Sequence, residues 1–104
     1  MKSNLKWYEI QNVRDLITPS LLLYPKRVRQ NAEKMIAMAG GTARLRPHIK
    51  THKMAEIIDM QMQMGINKFK CATITEAELL AKSGAKDVLL AMQPAGIQIR
   101  RLFQ

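Results

Sequence analysis

A parallel α/β architecture is what the sequence predicts, and three observations carry it. Short apolar runs alternate with segments of helical period, at intervals of about 20 residues. The run Asp87 to Met92 (DVLLAM) is apolar almost throughout, as parallel strands buried on both faces are. Glycines stand just past three helical segments, at Gly40-Gly41, Gly65 and Gly84, where a left-handed residue closes a last turn. The spacing suits a β/α barrel or a doubly wound sheet. Neither is complete: a barrel takes eight strands and typically about 250 residues, and these 104 residues supply three clear units. The chain is therefore expected to be the N-terminal part of a larger protein, its last helix reaching Gln104 without a cap.

Taken in order, residues 1–17 show no clean period and are expected to form an arm, anchored by Trp7 and Tyr8. Thr18 to Tyr24 (TPSLLLY) reads as a buried strand, a short apolar run bounded by prolines. Pro25 occupies a first helical position, and Val28, Ala32, Met35 and Ile36 then form one apolar stripe. Arg44 to Lys50 (RLRPHIK) reads as a strand leading into a loop. Residues 53–64 are predicted helical, with Met54, Ile57, Ile58 and Met62 on one face. Lys68 to Ala72 is the next strand. Thr75 and Glu78 form a capping-box pattern at the start of the following helix, which carries Leu79 and Leu80. Gln93 to Gly96 is a loop, and a further helix begins at Ile97.

Composition narrows the class. At 47% apolar residues the chain can bury a core, which argues against disorder. A single cysteine excludes a disulfide scaffold. No stretch approaches the roughly 20 apolar residues of a membrane span, and the polar start MKSNLKWYEIQN is unlike a secretory signal. A cytoplasmic location is expected. Lys and Arg total 17 against 8 Asp and Glu, a net charge of +9. Such an excess could serve nucleic acid, but the basic residues are scattered and no aromatics interleave with them as a stacking platform requires. A basic balance also suits an enzyme for anionic ligands, and the balancing acidic residues could lie in sequence outside these 104 residues.

The densest polar cluster is Arg46-Pro47-His48-Ile49-Lys50-Thr51-His52-Lys53. It falls at the carboxyl end of a predicted strand, where barrels and open α/β sheets place their sites. Alternation sends His48 and Lys50 to one side. A lysine held in a barrel mouth loses water, which lowers its pKa and frees the amine for nucleophilic attack. The residues leave two readings open, a Schiff-base lysine and a solvated basic loop. His48 and His52 have the spacing of a helical metal pair, but Pro47 opposes a helix there and no acid or cysteine nearby completes a ligand set. Arg46, Lys50 and Lys53 could also hold a phosphate.

LRPHIKTHKMAEI, followed by FKCATITEAELLAKSGAKDVLLAMQP, closely resembles the D-threonine aldolase and D-serine dehydratase family, pyridoxal-phosphate enzymes with an alanine-racemase-like (fold type III) barrel. Pro-His-x-Lys-Thr-His-Lys is the specific motif; TEAELL and DVLLA support it. The resemblance implies that residues 18–104 are the first βα units of a TIM-like barrel, with the C-terminal β-domain absent. It implies that Lys50 carries the cofactor as an internal aldimine, with Arg46, His48 and His52 lining the site. It further implies a D-amino acid substrate, retro-aldol cleavage or dehydration, a site built between two subunits, and a divalent metal bound by residues outside this chain. A homodimer or self-associating fragment is expected, inactive alone. A non-catalytic pyridoxal-phosphate barrel, an amino-acid racemase and a basic nucleic-acid module are the alternatives.

The remaining residues need no special chemistry. Met35, Met54 and Met62 read as core, Cys71 as an inert buried thiol, Glu76 and Glu78 as first-turn helix charges, and Asp87 as the start of a strand.

Overall fold

The computed structural model describes residues 4–104, so the first three residues of the expected arm lie outside the described residues. At its centre two parallel strands pair, β1 (Lys68–Cys71) and β2 (Asp87–Leu90), with Phe69 opposite Val88 and Cys71 opposite Leu90. Parallel strands cannot be joined by a tight turn; here the crossover is a helix, Ile74–Lys82. In chain order the helices are α1 (Pro25–Ala39), α2 (Ala55–Gln63), that crossover as α3, and α4 (Ile97–Leu102). On the other side of β1, His48 makes an isolated parallel bridge to Lys70. The Lys70 N–H donates to the Pro47 carbonyl at 2.8 Å and the Ile49 N–H donates to the Lys70 carbonyl at 3.0 Å.

The core lies between this sheet and the helices on one of its faces. Ile49, Ile58, Ile66, Phe69, Cys71 and Leu80 form it, all fully buried, with Met35, Ile36, Met62, Val88 and Leu90 packed against them. Phe69 and Cys71 alternate with the less buried Lys68 and Lys70, so the second face of β1 carries lysines. The radius of gyration is 17.1 Å, against about 13 Å for a closed domain of this length. The described residues thus make an open layer rather than a closed barrel.

Local sequence accounts for the helix boundaries. Pro25 stands at the first position of α1. Its last turn is closed by Gly40 at φ 77, with the Gly40 N–H on the Ala37 carbonyl and the Gly41 N–H on the Ile36 carbonyl, the two bonds of a Schellman motif. The arm docks on the same helix. Trp7 meets Tyr24 edge-on at 5.3 Å, the Arg27 guanidinium lies 3.9 Å over the Trp7 ring, and the Tyr24 hydroxyl donates to the Tyr8 carbonyl at 2.7 Å.

Four expectations are corrected. Thr18 to Tyr24 is not a strand: no strand among the described residues pairs with it, and Leu21 and Leu22 are exposed. The expected strand over Arg44 to Lys50 shrinks to the single bridge at His48. A 3-10 turn takes up Thr42–Arg44, and Pro47 has no N–H to extend a ladder. The capping box lies two residues earlier than expected, at Thr73 and Glu76. The Glu76 N–H donates to Thr73 Oγ1 at 3.1 Å, and the Glu76 carboxylate accepts from the Thr73 hydroxyl at 2.7 Å and from the Ala72 N–H at 3.3 Å. The strand Asp87 to Met92 ends at Leu90 and has only one face covered, with Leu89 half exposed.

Two substitutions test this account. Thr73→Ala should lower stability by about 1 kcal/mol, as loss of an N-cap does, while Thr75→Ala should leave it nearly unchanged. Phe69→Ala should remove about 3–5 kcal/mol. Urea unfolding followed by circular dichroism measures both; an effect of Thr75→Ala larger than that of Thr73→Ala would place the cap at the wrong threonine.

Candidate functional site

The basic segment rides on the edge of β1. The bridge sets His48 on the same face as Lys70, the face away from the helix layer, and pins Ile49 beneath, fully buried. Lys50 follows as the chain leaves the sheet, and it is exposed. The dry setting expected for this lysine is therefore absent, because no described element covers that face of the sheet. Its ε-amine has neither a hydrogen bond nor an ion pair among the described residues.

The other candidates are more committed. Arg46 turns across β1 to Asp87, with NH1 on Oδ1 at 2.6 Å and NH2 on Oδ2 at 2.8 Å, and also donates to the Phe69 carbonyl at 3.2 Å. Those guanidinium hydrogen bonds and charge hold the Asp87 carboxylate below its usual range. His48 Nδ1 accepts the Lys50 N–H at 3.2 Å, and His52 Nδ1 accepts the Met54 N–H at 3.0 Å where α2 begins. In the neutral state both imidazoles consequently carry their proton on Nε2. His52 Nε2 is buried with no partner among the described residues, and burial pushes that imidazole's pKa down. The structure thus puts Arg46 and His48 with Lys70 on one face, Lys50 at its edge, and His52 half-buried behind the turn.

One participant was not expected as such. Glu76, expected as an ordinary first-turn charge, is only 3% exposed and lines a cavity with Lys53. Burial alone would raise its pKa; the Thr73 hydroxyl, the Ala72 N–H and, after them, the Lys53 and His48 side chains outweigh it and hold the carboxylate low. A signal was present in the overlapping Thr73-x-x-Glu76 and Thr75-x-x-Glu78 pairs. A cavity of about 280 Å³ lies beside this residue, lined by Lys53, Thr75, Glu76, Glu78, Leu79 and Lys82.

The alanine racemase N-terminal domain matches residues 24–103. The chain belongs to that family. Among curated proteins it is 31% identical over 93 residues to D-threo-3-hydroxyaspartate dehydratase of Delftia sp. (strain HT23), covering 83% of this chain and 24% of that protein. It is 31% identical over 99 residues to D-serine dehydratase of Dictyostelium discoideum, covering 89% of this chain and 25% of that one. The chain thus spans about a quarter of the length of these relatives. No solved structure matches it. The family match implies that these parallel strands and helices are part of a TIM-like barrel. No described helix is long and apolar enough to cross a membrane.

The family uses pyridoxal phosphate, and the side chains present suit an anionic aldehyde. Lys50 offers an exposed, unpaired primary amine, and Arg46, Lys53 and Lys70 lie in the same basic segment and the strand it bridges.

The buried carboxylate generates a pH prediction. A group whose folded-state pKa lies below its unfolded value contributes stability above the unfolded pKa, lost as pH falls through the folded one. The wild-type chain should therefore lose stability below about pH 4 more steeply than Glu76→Gln, and at neutral pH the variant should be the less stable. Urea midpoints across that range give the comparison; parallel curves would remove Glu76 from the account.

Proposed function

We propose that this chain carries pyridoxal phosphate on Lys50 and serves a lyase acting on D-amino acids, of the dehydratase or aldolase kind. The observation that carries the reading is the unpaired Lys50 amine on a sheet-edge segment in which the neighbouring polar groups are committed to holding the backbone. Membership of the alanine racemase N-terminal domain family supports the cofactor, and the two dehydratase relatives favour a lyase over a racemase.

Pyridoxal phosphate, when bound, supplies an electron sink for charge that forms at a substrate Cα. Lys50 is the anchoring nucleophile, and its amine is afterwards the group placed to take or return a proton. His48, with Nδ1 occupied by the Lys50 N–H, presents Nε2–H as a donor. Arg46 braces the floor of the face through Asp87, and its positive charge favours an anionic cofactor beside it. His52, held by the Met54 N–H, lines the segment from behind. A second subunit and a metal-bearing C-terminal β-domain belong to this reading as contributions from outside these residues.

The reading is tested by incubating the chain with pyridoxal phosphate, reducing with borohydride and mapping peptides by mass. A pyridoxyl adduct confined to Lys50, and missing from Lys50→Ala, is expected. Label spread evenly over the surface lysines would overturn the assignment.

A further inference from the structure

Lys53 closes the basic segment in an unusual backbone conformation. At φ 50 it is the one non-glycine residue with positive φ among the described residues, a region that side-chain-bearing residues other than asparagine and aspartate rarely enter. Its N–H donates to the Ile49 carbonyl at 2.9 Å, closing a turn around Lys50, Thr51 and His52. From that conformation its Nζ folds back and donates to the Lys50 carbonyl at 2.8 Å. On the other flank the Lys50 N–H is taken by His48 Nδ1. Both main-chain polar groups of Lys50 are thus bound by side chains of its own segment, while its amine stays unpaired. A strained residue persists where its surroundings over-determine it, and such residues gather at functional sites.

We propose that Lys53 is a positioning residue for Lys50: its ammonium clamps the Lys50 carbonyl and, with His48, fixes the main chain from which the Lys50 side chain projects. The clamp stands on the observed hydrogen bonds, and its functional part rests on the reading of Lys50 as the cofactor lysine. The buried Glu76 carboxylate, held by the Thr73 hydroxyl and the Ala72 N–H at the start of α3, lines a cavity together with Lys53. A glycine or asparagine would occupy φ 50 with less strain, and neither could return an ammonium to the Lys50 carbonyl. Fixing that main chain matters because a group held through a side chain inherits every displacement of its Cα, and small misplacements of reacting groups lower rates sharply.

The test uses amide hydrogen exchange across residues 48–54 without cofactor, and borohydride trapping at Lys50 with sub-saturating pyridoxal phosphate. It compares the wild type with Lys53→Asn and Lys53→Arg. Asparagine keeps the left-handed backbone and removes the ammonium; arginine keeps a cationic donor. In Lys53→Asn the Lys50 and Lys53 amides should exchange roughly 3- to 10-fold faster, the factor that one hydrogen bond carries. Trapping at Lys50 should fall by a similar factor, and Lys53→Arg should recover both. Amides of α1 distinguish local loosening from unfolding, and Lys53→Gly, free of strain at this φ, replaces Lys53→Asn should that variant unfold. Wild-type exchange in Lys53→Asn overturns the clamp. Faster exchange, with wild-type chain that is not trapped at Lys50, supports the clamp and overturns the cofactor reading instead.

Discussion

Two hydrogen bonds to the main chain of a single residue, Lys70, decide where the basic segment sits. Pro47 accepts from it and Ile49 donates to it, and the side chain of Ile49 is driven completely into the core beside Phe69. A shift of one residue would bring His48 or Lys50 into that apolar layer and turn Ile49 outward, since strand side chains alternate. Burying an unpaired ammonium is far more costly than losing one isoleucine contact. The apolar core therefore fixes the register of a segment made almost entirely of polar residues. Pro47 assists by what it lacks: without an N–H it cannot continue a ladder, so the chain leaves the sheet and the turn carrying Lys50 begins.

Charge is arranged around that turn in layers. On the open face Arg46 is matched by Asp87 across β1. Behind the turn the buried Glu76 faces Lys53 and His48. Both carboxylates belong to the β1–α3–β2 unit, one starting β2 and one capping α3, so the strand-helix-strand unit supplies counter-charges to a segment it does not contain. Among eight acidic residues against 17 basic ones, Asp87 is the one ion-paired to this segment among the described residues, and Lys50 is left free.

How much of this was legible follows from which forces are local. Helix α1 was readable because Pro25, the 28-32-35-36 stripe and Gly40-Gly41 act within a few turns of one another. Strands β1 and β2 were readable from composition. The strand expected at Thr18 to Tyr24 failed because a strand needs a neighbour, and apolar content cannot say whether one is present. The cap was misplaced by two residues because Thr73 and Thr75 each precede a glutamate by three, and only the end of β1 chooses between them. In the basic segment the motif and the position of Lys50 were visible. The fold-back of Lys53 and the pairing of Arg46 with Asp87, 41 residues away, depend on tertiary contacts.

The chain's single tryptophan sits far from all of this, stacked under Arg27 and edge-on to Tyr24 where the arm meets α1. Its indole is the dominant intrinsic fluorophore, and an aromatic face beneath a guanidinium responds to whether that cation stays in place. Emission from this protein consequently reports on the seam between arm and α1 and is nearly blind to the sheet and the Lys50 turn. Because α1 carries this seam at its start and packs Met35 and Ile36 on the core at its end, the fluorophore marks one end of the helix that joins arm to core.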